Sequence, residues 1–218
     1  MLPTEPVRPL KDVWLRPRRV FRELAARPAG VTDYLLMSAQ GVGNFLALYR
    51  ALGAGAHSSV AEILANSVTH GVVAGVASLY LMAIIYQRLG TRAGGKSTTH
   101  QVIHVLAYGG VPMVASLAIW VLTALLAGED TFLETPRPDA EGFLVLLLHV
   151  QFIAYVVLLI WSIVLQVMGL SEIQGLAIRK ALGVWVVGQI IGFLASWFLA
   201  LAIEALFPGA LFHFIPQR

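Results

Sequence analysis

Cysteine is absent from the 218 residues, which excludes disulfide bonds, thiol catalysis and cysteine-ligated metal sites. Charge is also scarce, at 12% of residues, where a soluble domain carries about 25%. Hydrophobic residues make up 58% of the chain, and the mean hydropathy is +0.77. So few charged groups cannot cover the apolar surface of a soluble domain of this size. The composition therefore indicates a membrane protein and excludes disordered, collagen-like and soluble nucleic-acid-binding classes.

Long stretches without charge predict the membrane spans. A helix needs about 20 mostly apolar residues to cross the hydrocarbon core, and four stretches exceed that length easily. A fifth is shorter, but Asp33 and Arg50 at its ends can reach the interfaces. No segment alternates as barrel strands do. The sequence therefore predicts an all-α fold, a bundle of five transmembrane helices over about residues 32–52, 63–88, 99–127, 143–168 and 181–206.

A basic leader over residues 1–30 precedes the predicted transmembrane domain of residues 31–218. Apolar residues recur in it at roughly helical spacing, with arginines between them. This pattern predicts a short amphipathic helix in the headgroup plane, the alternative being a basic cytoplasmic leader that never touches lipid. The lipid headgroup-binding residues predicted for the leader and for the loop after the second span are Arg16, Arg18, Arg19, Arg22 and Lys96.

The basic residues also predict an orientation. Of the 15 lysines and arginines, 12 lie in the leader and in the loops around residues 88–98 and 171–180, which five spans place on one side. The positive-inside rule puts this side in the cytoplasm. We therefore expect an inner-membrane protein with a cytoplasmic N-terminus and a periplasmic or extracellular C-terminus, whose net charge of +3 reflects topology.

The sequence contains matches to parts of soluble-enzyme sites, but none of these sites is complete. Residues 90–97 match the phosphate-loop pattern, but a membrane helix precedes them instead of a strand, so we expect no nucleotide. His100 and His104 share one helix face, yet zinc needs a third ligand and no nearby carboxylate suggests itself. No serine–histidine–carboxylate set or paired buried carboxylates stand out. We therefore expect no metal, no cofactor and no enzymatic activity.

Polar residues inside the spans are costly in hydrocarbon and are candidates for function. They form a candidate intramembrane polar site of Asn44, His70, His149, Gln189 and Glu204. In one interpretation these groups hold helices together by hydrogen bonds; in the other they face a common cavity that carries protons or a substrate.

Small residues at four-residue spacing predict the helix contacts. The first span has such a seam of Ala39, Gly43, Ala47 and Ala51, and the second span has one of Gly71 and Gly75. The fifth span has one of Gly188, Gly192 and Ser196. The fourth span has almost no small residues, so we expect it to be the more lipid-exposed. Each seam serves packing within the chain or, alternatively, dimerisation.

Three stretches together resemble the Ypt-interacting-protein (Yip) family of five-span membrane proteins, in its compact bacterial branch. The leader has a W-x-x-P-x-x-x-F arrangement, a Gly-rich loop leads into a helix with an aromatic residue and a proline, and a hairpin precedes the last span. The residues that carry the resemblance are Trp14, Pro17, Phe21, Pro28, Tyr108, Pro112, Gly169, Ser171, Lys180 and Ala181.

The resemblance implies a cytoplasmic N-terminus and an external C-terminus. Eukaryotic members are associated with prenylated Rab-type GTPases, with one another and with vesicle traffic, but their long cytoplasmic N-terminal region has no counterpart here. Pro112 removes a helix donor and is expected to kink the third span, so Gly109, Gly110 and Pro112 form a candidate hinge or cavity wall.

Two functions of different classes follow. The first is a non-enzymatic inner-membrane protein that organises membrane or binds partners, which would be membrane lipids, other membrane proteins or a second copy, and neither nucleic acid nor nucleotide. The second is a small transporter, channel or lipid-translocating protein with a polar cavity; an enzyme acting on lipids ranks third. The convergence of Asn44, His70, His149 and Glu204 on one cavity would favour the second.

Overall fold

A computed structural model describes residues 7–135 and 142–206. In these residues all regular secondary structure is helical, as predicted. The helices are α1 (Pro9–Asp12), α2 (Pro17–Leu24), α3 (Val31–Ala51), α4 (Val60–Arg92), α5 (Thr99–Gly109), α6 (Val111–Ala127), α7 (Gly142–Gln174) and α8 (Ile178–Leu206), with 3₁₀ turns at Ala54–Ala56 and Gly128–Phe132.

Four segments of the described chain are long and apolar enough to cross a membrane. They are α4, the run from Thr99 to Phe132 that contains α5 and α6, α7, and residues Ile178–Ala195 of α8. The helix α3 has the length of a span but not the hydropathy, because Asp33, Gln40, Asn44 and Arg50 interrupt its apolar residues. Four apolar spans are thus present, and a fifth at α3 stays a prediction.

Local capping explains where the long helices begin. Ser59 precedes α4, where its hydroxyl accepts from the Glu62 amide at 3.4 Å and its own amide donates to Glu62 Oε2 at 2.9 Å. Thr98 and Gln101 repeat this reciprocal arrangement at the start of α5. Beyond the predicted ends, α4 continues to Arg92 and α7 to Gln174, so both helices project past their apolar cores.

Glycine allows α3 and α4 to pack with their backbones in contact. A Cβ at Gly41 would lie 2.7 Å from the Cα of Gly75, and a Cβ at Gly71 would lie 2.6 Å from the Cα of Val42. The predicted seam of Gly71 and Gly75 therefore serves packing within the chain. Its partner on α3 is Gly41, whereas Gly43 faces Leu117 of α6.

The second seam joins α8 to α4. A Cβ at Gly188 would meet the ring of Tyr86, and one at Gly192 would lie 3.0 Å from the Cε of Met82.

The helix α7 packs on α6 but leaves one long face exposed, as its lack of small residues predicts. Two apolar cores result, one at each end of the bundle. The first includes Phe21, Tyr86 and Leu170, and the second is centred on Trp120 and Phe132.

We expect Gly71→Ala to destabilise the protein by about 1–3 kcal/mol, because the added methyl would overlap the backbone of α3. Gly183→Ala is the matched control, since a Cβ at Gly183 of α8 meets nothing within 4 Å. Thermal unfolding in detergent, followed by size-exclusion chromatography, measures the difference. Equal midpoints for both variants would contradict the close contact between α3 and α4.

Candidate functional site

The N-terminal helix α2 packs its apolar face onto the protein. Val20 and Phe21 are fully buried, and Leu24 nearly so. A Cβ at Gly169 of α7 would lie 2.9 Å from the Phe21 ring and 2.8 Å from Cγ1 of Val105, so the ring fills the space that glycine leaves. The apolar face of α2 contacts α5 and α7, so these side chains pack inside the protein, and a position of the leader in the headgroup plane stays a prediction.

The polar face of α2 points outward from this contact. Arg16, Arg18 and Arg22 are exposed, and Arg22 Nη2 lies 2.7 Å from Glu172 Oε1 of α7. Arg19 is half-buried and pairs with Glu23 one turn later at 3.2 Å. Lys96 is exposed at the same end of the bundle. Arg18, Arg19 and Arg22 of α2, together with Arg16 directly before its first residue, are thus held at a fixed position on the side of α2 that faces away from the bundle.

A buried histidine–carboxylate pair lies beneath the leader. Nδ1 of His104 is 2.7 Å from Oδ1 of Asp33, and both side chains are nearly inaccessible. Nε2 of the same ring is 3.1 Å from the carbonyl oxygen of Arg27, and Asp33 Oδ2 accepts from the Gly30 amide at 2.8 Å. The pair therefore connects α5, the start of α3 and the end of the leader.

The chemistry of this pair follows from its partners. A carbonyl oxygen only accepts, so Nε2 of His104 must carry a proton. Nδ1 then faces the carboxyl group with one further proton between them, held on the ring or on Asp33. The expectation that His104 has no nearby carboxylate is wrong, because its partner is 71 residues earlier in the sequence. His100 is exposed and takes no part.

Among the described residues, no group of three or more histidine, aspartate or glutamate side chains is arranged to hold a metal ion. The phosphate-loop match begins in the last turn of α4, at Gly90–Arg92, so its backbone there is helical rather than a loop following a strand.

The predicted break in the third span lies at Gly110, between α5 and α6, with Pro112 in the first turn of α6. Side chains from other helices satisfy the carbonyl oxygens near this break. Gln40 Nε2 donates to Ala107 at 3.1 Å, and Ser162 Oγ donates to Gly109 at 2.9 Å. Because α3 and α7 both brace the break, it is a fixed interruption in the structure; hinge motion stays a prediction.

A chain of hydrogen bonds extends from this break to α8. Gln166 Nε2 donates to Ser162 Oγ at 3.4 Å, and Trp185 Nε1 donates to Gln166 Oε1 at 3.0 Å. The adjacent glycines are required for these contacts, since a Cβ at Gly109 would lie 2.7 Å from Cγ of Gln166 and one at Gly110 would overlap the Gln40 amide. The hydrogen bonds that hold the helices together at this break therefore come from glutamine and serine side chains.

The residues of the candidate intramembrane polar site lie on the surface of the bundle wherever the structure describes them. Asn44, His70, His149 and Gln189 are all exposed on the outside of the bundle. Each histidine ring contacts a carbonyl oxygen of its own helix, at 2.9 Å for His70 and 2.7 Å for His149. The side chain of Glu204 lies outside the described residues. The four described groups therefore give no support to the interpretation in which they face a common cavity.

A cavity of about 240 Å³ lies instead at the end of the bundle opposite α2. Arg50 of α3 reaches across it, and its Nη1 donates to Oε1 of Gln151 of α7 at 2.9 Å. Trp120 of α6 lines the cavity between them. The sequence places Arg50 at a span end and Gln151 within a span, but nothing in the spacing relates positions 101 residues apart.

Removing the buried histidine should be costly. We expect His104→Ala to destabilise the protein by about 3–5 kcal/mol, because Oδ1 of Asp33 would remain buried without its histidine partner. The double variant Asp33→Ala, His104→Ala should lose less than the sum of the two single variants. Thermal unfolding measures all three, with His100→Ala as the exposed control. Additive losses would contradict direct coupling between Asp33 and His104.

Comparison with known families gives one result. The family model for the Yip1 domain matches residues 11–201, which includes the described helices from the last residues of α1 to the last turns of α8. No curated protein and no solved structure matches the chain. Because the match covers most of the sequence, from the docked leader through the four apolar spans, the chain belongs to the Yip family of multi-pass membrane proteins.

Proposed function

We propose that this protein is a non-enzymatic, multi-pass inner-membrane protein that organises the membrane or binds partner membrane proteins. The docking of α2 carries the proposal. The apolar face of α2 is buried against the protein, so α2 cannot insert that face into lipid. Its arginines are therefore held at a fixed position beside the membrane. Such a fixed cationic face suits contact with anionic headgroups or acidic partner segments.

The helix α3 completes five spans in this proposal. Its 21 residues measure about 32 Å along the axis, the thickness of a hydrocarbon core. Its interruptions are accommodated by the protein: Asp33 pairs with His104, Gln40 with the break after α5, and Arg50 with Gln151. The low hydropathy of α3 is therefore compatible with burial between other helices. The distribution of basic residues supports a cytoplasmic N-terminus.

The exposed apolar faces of α7 and α8 are the surfaces proposed for partner membrane proteins or bulk lipid. Phe143, Ile153 and Ile160 of α7 and Phe193 and Trp197 of α8 are each more than half exposed. We do not propose a transporter, because Asn44, His70 and His149, on which that alternative depends, are exposed on the outside of the bundle.

The absence of cysteine allows a direct test of topology. Leu15→Cys lies beside α2, and His57→Cys lies between α3 and α4; both side chains are exposed. If α3 spans the membrane, a membrane-impermeant maleimide applied to intact cells should label His57→Cys and should label Leu15→Cys only after permeabilisation. Labelling of both positions from the same side would contradict the fifth span.

The cationic face of α2 is tested with the full chain in nanodiscs. An environment-sensitive dye on Leu15→Cys should shift to shorter wavelength when phosphatidylglycerol replaces phosphatidylcholine. Arg16→Gln with Arg18→Gln should abolish most of this shift, since each arginine near an anionic surface contributes about 1 kcal/mol.

Arg179→Gln with Lys180→Gln is the matched control, because it removes the same charge from the start of α8 at the same end of the bundle. The control should retain the shift. A shift that survives the α2 substitutions, or that the control loses equally, would contradict headgroup contact by α2.

A further inference from the structure

The cavity beside Arg50 combines groups of opposite charge with aromatic walls. Its lining includes Arg50 from α3, Glu134 from the segment after the second 3₁₀ turn, Trp120 from α6, and Phe152 and Tyr155 from α7. Both charged residues belong to the described part of the chain, and they form no ion pair with each other there. The cavity thus holds one cation and one anion that do not neutralise each other by direct contact.

The guanidinium of Arg50 is held in place by one hydrogen bond, and its other donors have no acceptor among the described residues. It is half-buried, and the only hydrogen bond that the described residues provide to its side chain comes from Gln151 Oε1. Gln151 is 3% exposed, and its amide nitrogen is buried without a partner in the same described part of the protein. An oxygen acceptor that enters beside Arg50 could accept hydrogen bonds from the remaining guanidinium N–H groups. The side-chain amide nitrogen of Gln151, which lacks an acceptor, lies next to them.

The remaining walls suit a cation. Trp120 contacts Tyr155 edge to face with ring centroids 6.2 Å apart, so both rings line the same space as Glu134. Aromatic faces attract an ammonium group, and a carboxylate accepts its hydrogen bonds. A ligand that carries a phosphate and a primary ammonium would complement the two halves of the cavity.

The depth of the cavity indicates where such a ligand would come from. Glu134 lies in the segment between the apolar spans that end at Phe132 and begin at Gly142, and Arg50 is one residue from the end of α3. Because non-helical backbone that connects two spans lies outside the hydrocarbon core, the cavity lies at the headgroup level of the leaflet opposite α2. Phe152 and Leu159, one face of α7 below the cavity, are exposed and apolar, as contact with acyl chains requires.

We propose that this cavity binds the phosphoethanolamine headgroup of a phospholipid in the leaflet opposite α2. The phosphate lies at Arg50, with Gln151 as the residue that positions the guanidinium, and the ammonium lies between Glu134 and the rings of Trp120 and Tyr155. The volume of about 240 Å³ is smaller than the pockets that enclose drug-sized ligands, which fits a headgroup whose chains stay in the membrane. This site is separate from the arginine-rich face of α2, and neither proposal depends on the other.

The test uses the full chain, reconstituted with equal amounts of phosphatidylethanolamine and phosphatidylglycerol and then extracted in mild detergent for native mass spectrometry. We expect one retained phosphatidylethanolamine molecule per chain. Arg50→Gln should weaken its retention by at least about tenfold, the effect of losing charge-assisted hydrogen bonds. Glu134→Gln should reduce the preference for phosphatidylethanolamine over phosphatidylglycerol.

Two further variants separate binding from folding. Ala51→Phe fills the cavity from its exposed rim on α3 without removing a charge, and it should also prevent retention. Arg88→Gln removes an exposed arginine near the C-terminal end of α4, away from the cavity, and should have no effect. Retention that survives both Arg50→Gln and Ala51→Phe would overturn the site.

The remaining outcomes distinguish the ligand. Equal retention of phosphatidylglycerol by the unmodified chain would overturn recognition of the ammonium group. Soluble O-phosphoethanolamine at the concentration of the lipid should displace little of it, because it lacks the acyl chains that contact α7. Complete displacement would overturn the assignment to a membrane lipid.

Discussion

The structure depends on satisfying polar groups inside a protein whose surroundings offer few hydrogen-bond partners. In hydrocarbon an unpaired backbone or side-chain polar group costs several kcal/mol, so a partner on another helix stabilises an interruption of the apolar bundle. Asp33 pairs with His104, and Arg50 donates to Gln151. Gln40 and Ser162 donate to carbonyl oxygens at the break after α5. Each of these contacts joins helices that are distant in sequence, and together they determine how the bundle closes.

The leader takes its position from the same constraint. The Arg27 carbonyl lies against the ring of His104, and the Ala25 carbonyl accepts from Gln101 at 3.1 Å, so the chain that follows α2 is tied to α5 before α3 begins. Phe21 then fills the gap over Gly169. A helix whose sequence alone suggests attachment to lipid is thereby made part of the protein, and its arginines become a fixed feature of one end of the bundle.

Much of the architecture could be predicted from the sequence, because helix length, glycine seams and the break at Pro112 are local signals. Gly71, Gly188 and the exposed face of α7 have the roles expected of them. Long-range pairs were missed, because no spacing rule relates Asp33 to His104. The candidate polar site was also misjudged, because a residue count places Asn44 near mid-span and His149 toward the outer end of its span but does not say which face of a helix points outward.

The central claim is that α2 is held by the bundle and not by lipid. Hydrogen–deuterium exchange of the full chain in nanodiscs measures this directly. The account predicts slow exchange over residues 20–27 that is the same in phosphatidylcholine and phosphatidylglycerol and is lost in His104→Ala. Fast exchange of these amides, or protection that appears only with anionic lipid and is unaffected by His104→Ala, would contradict it.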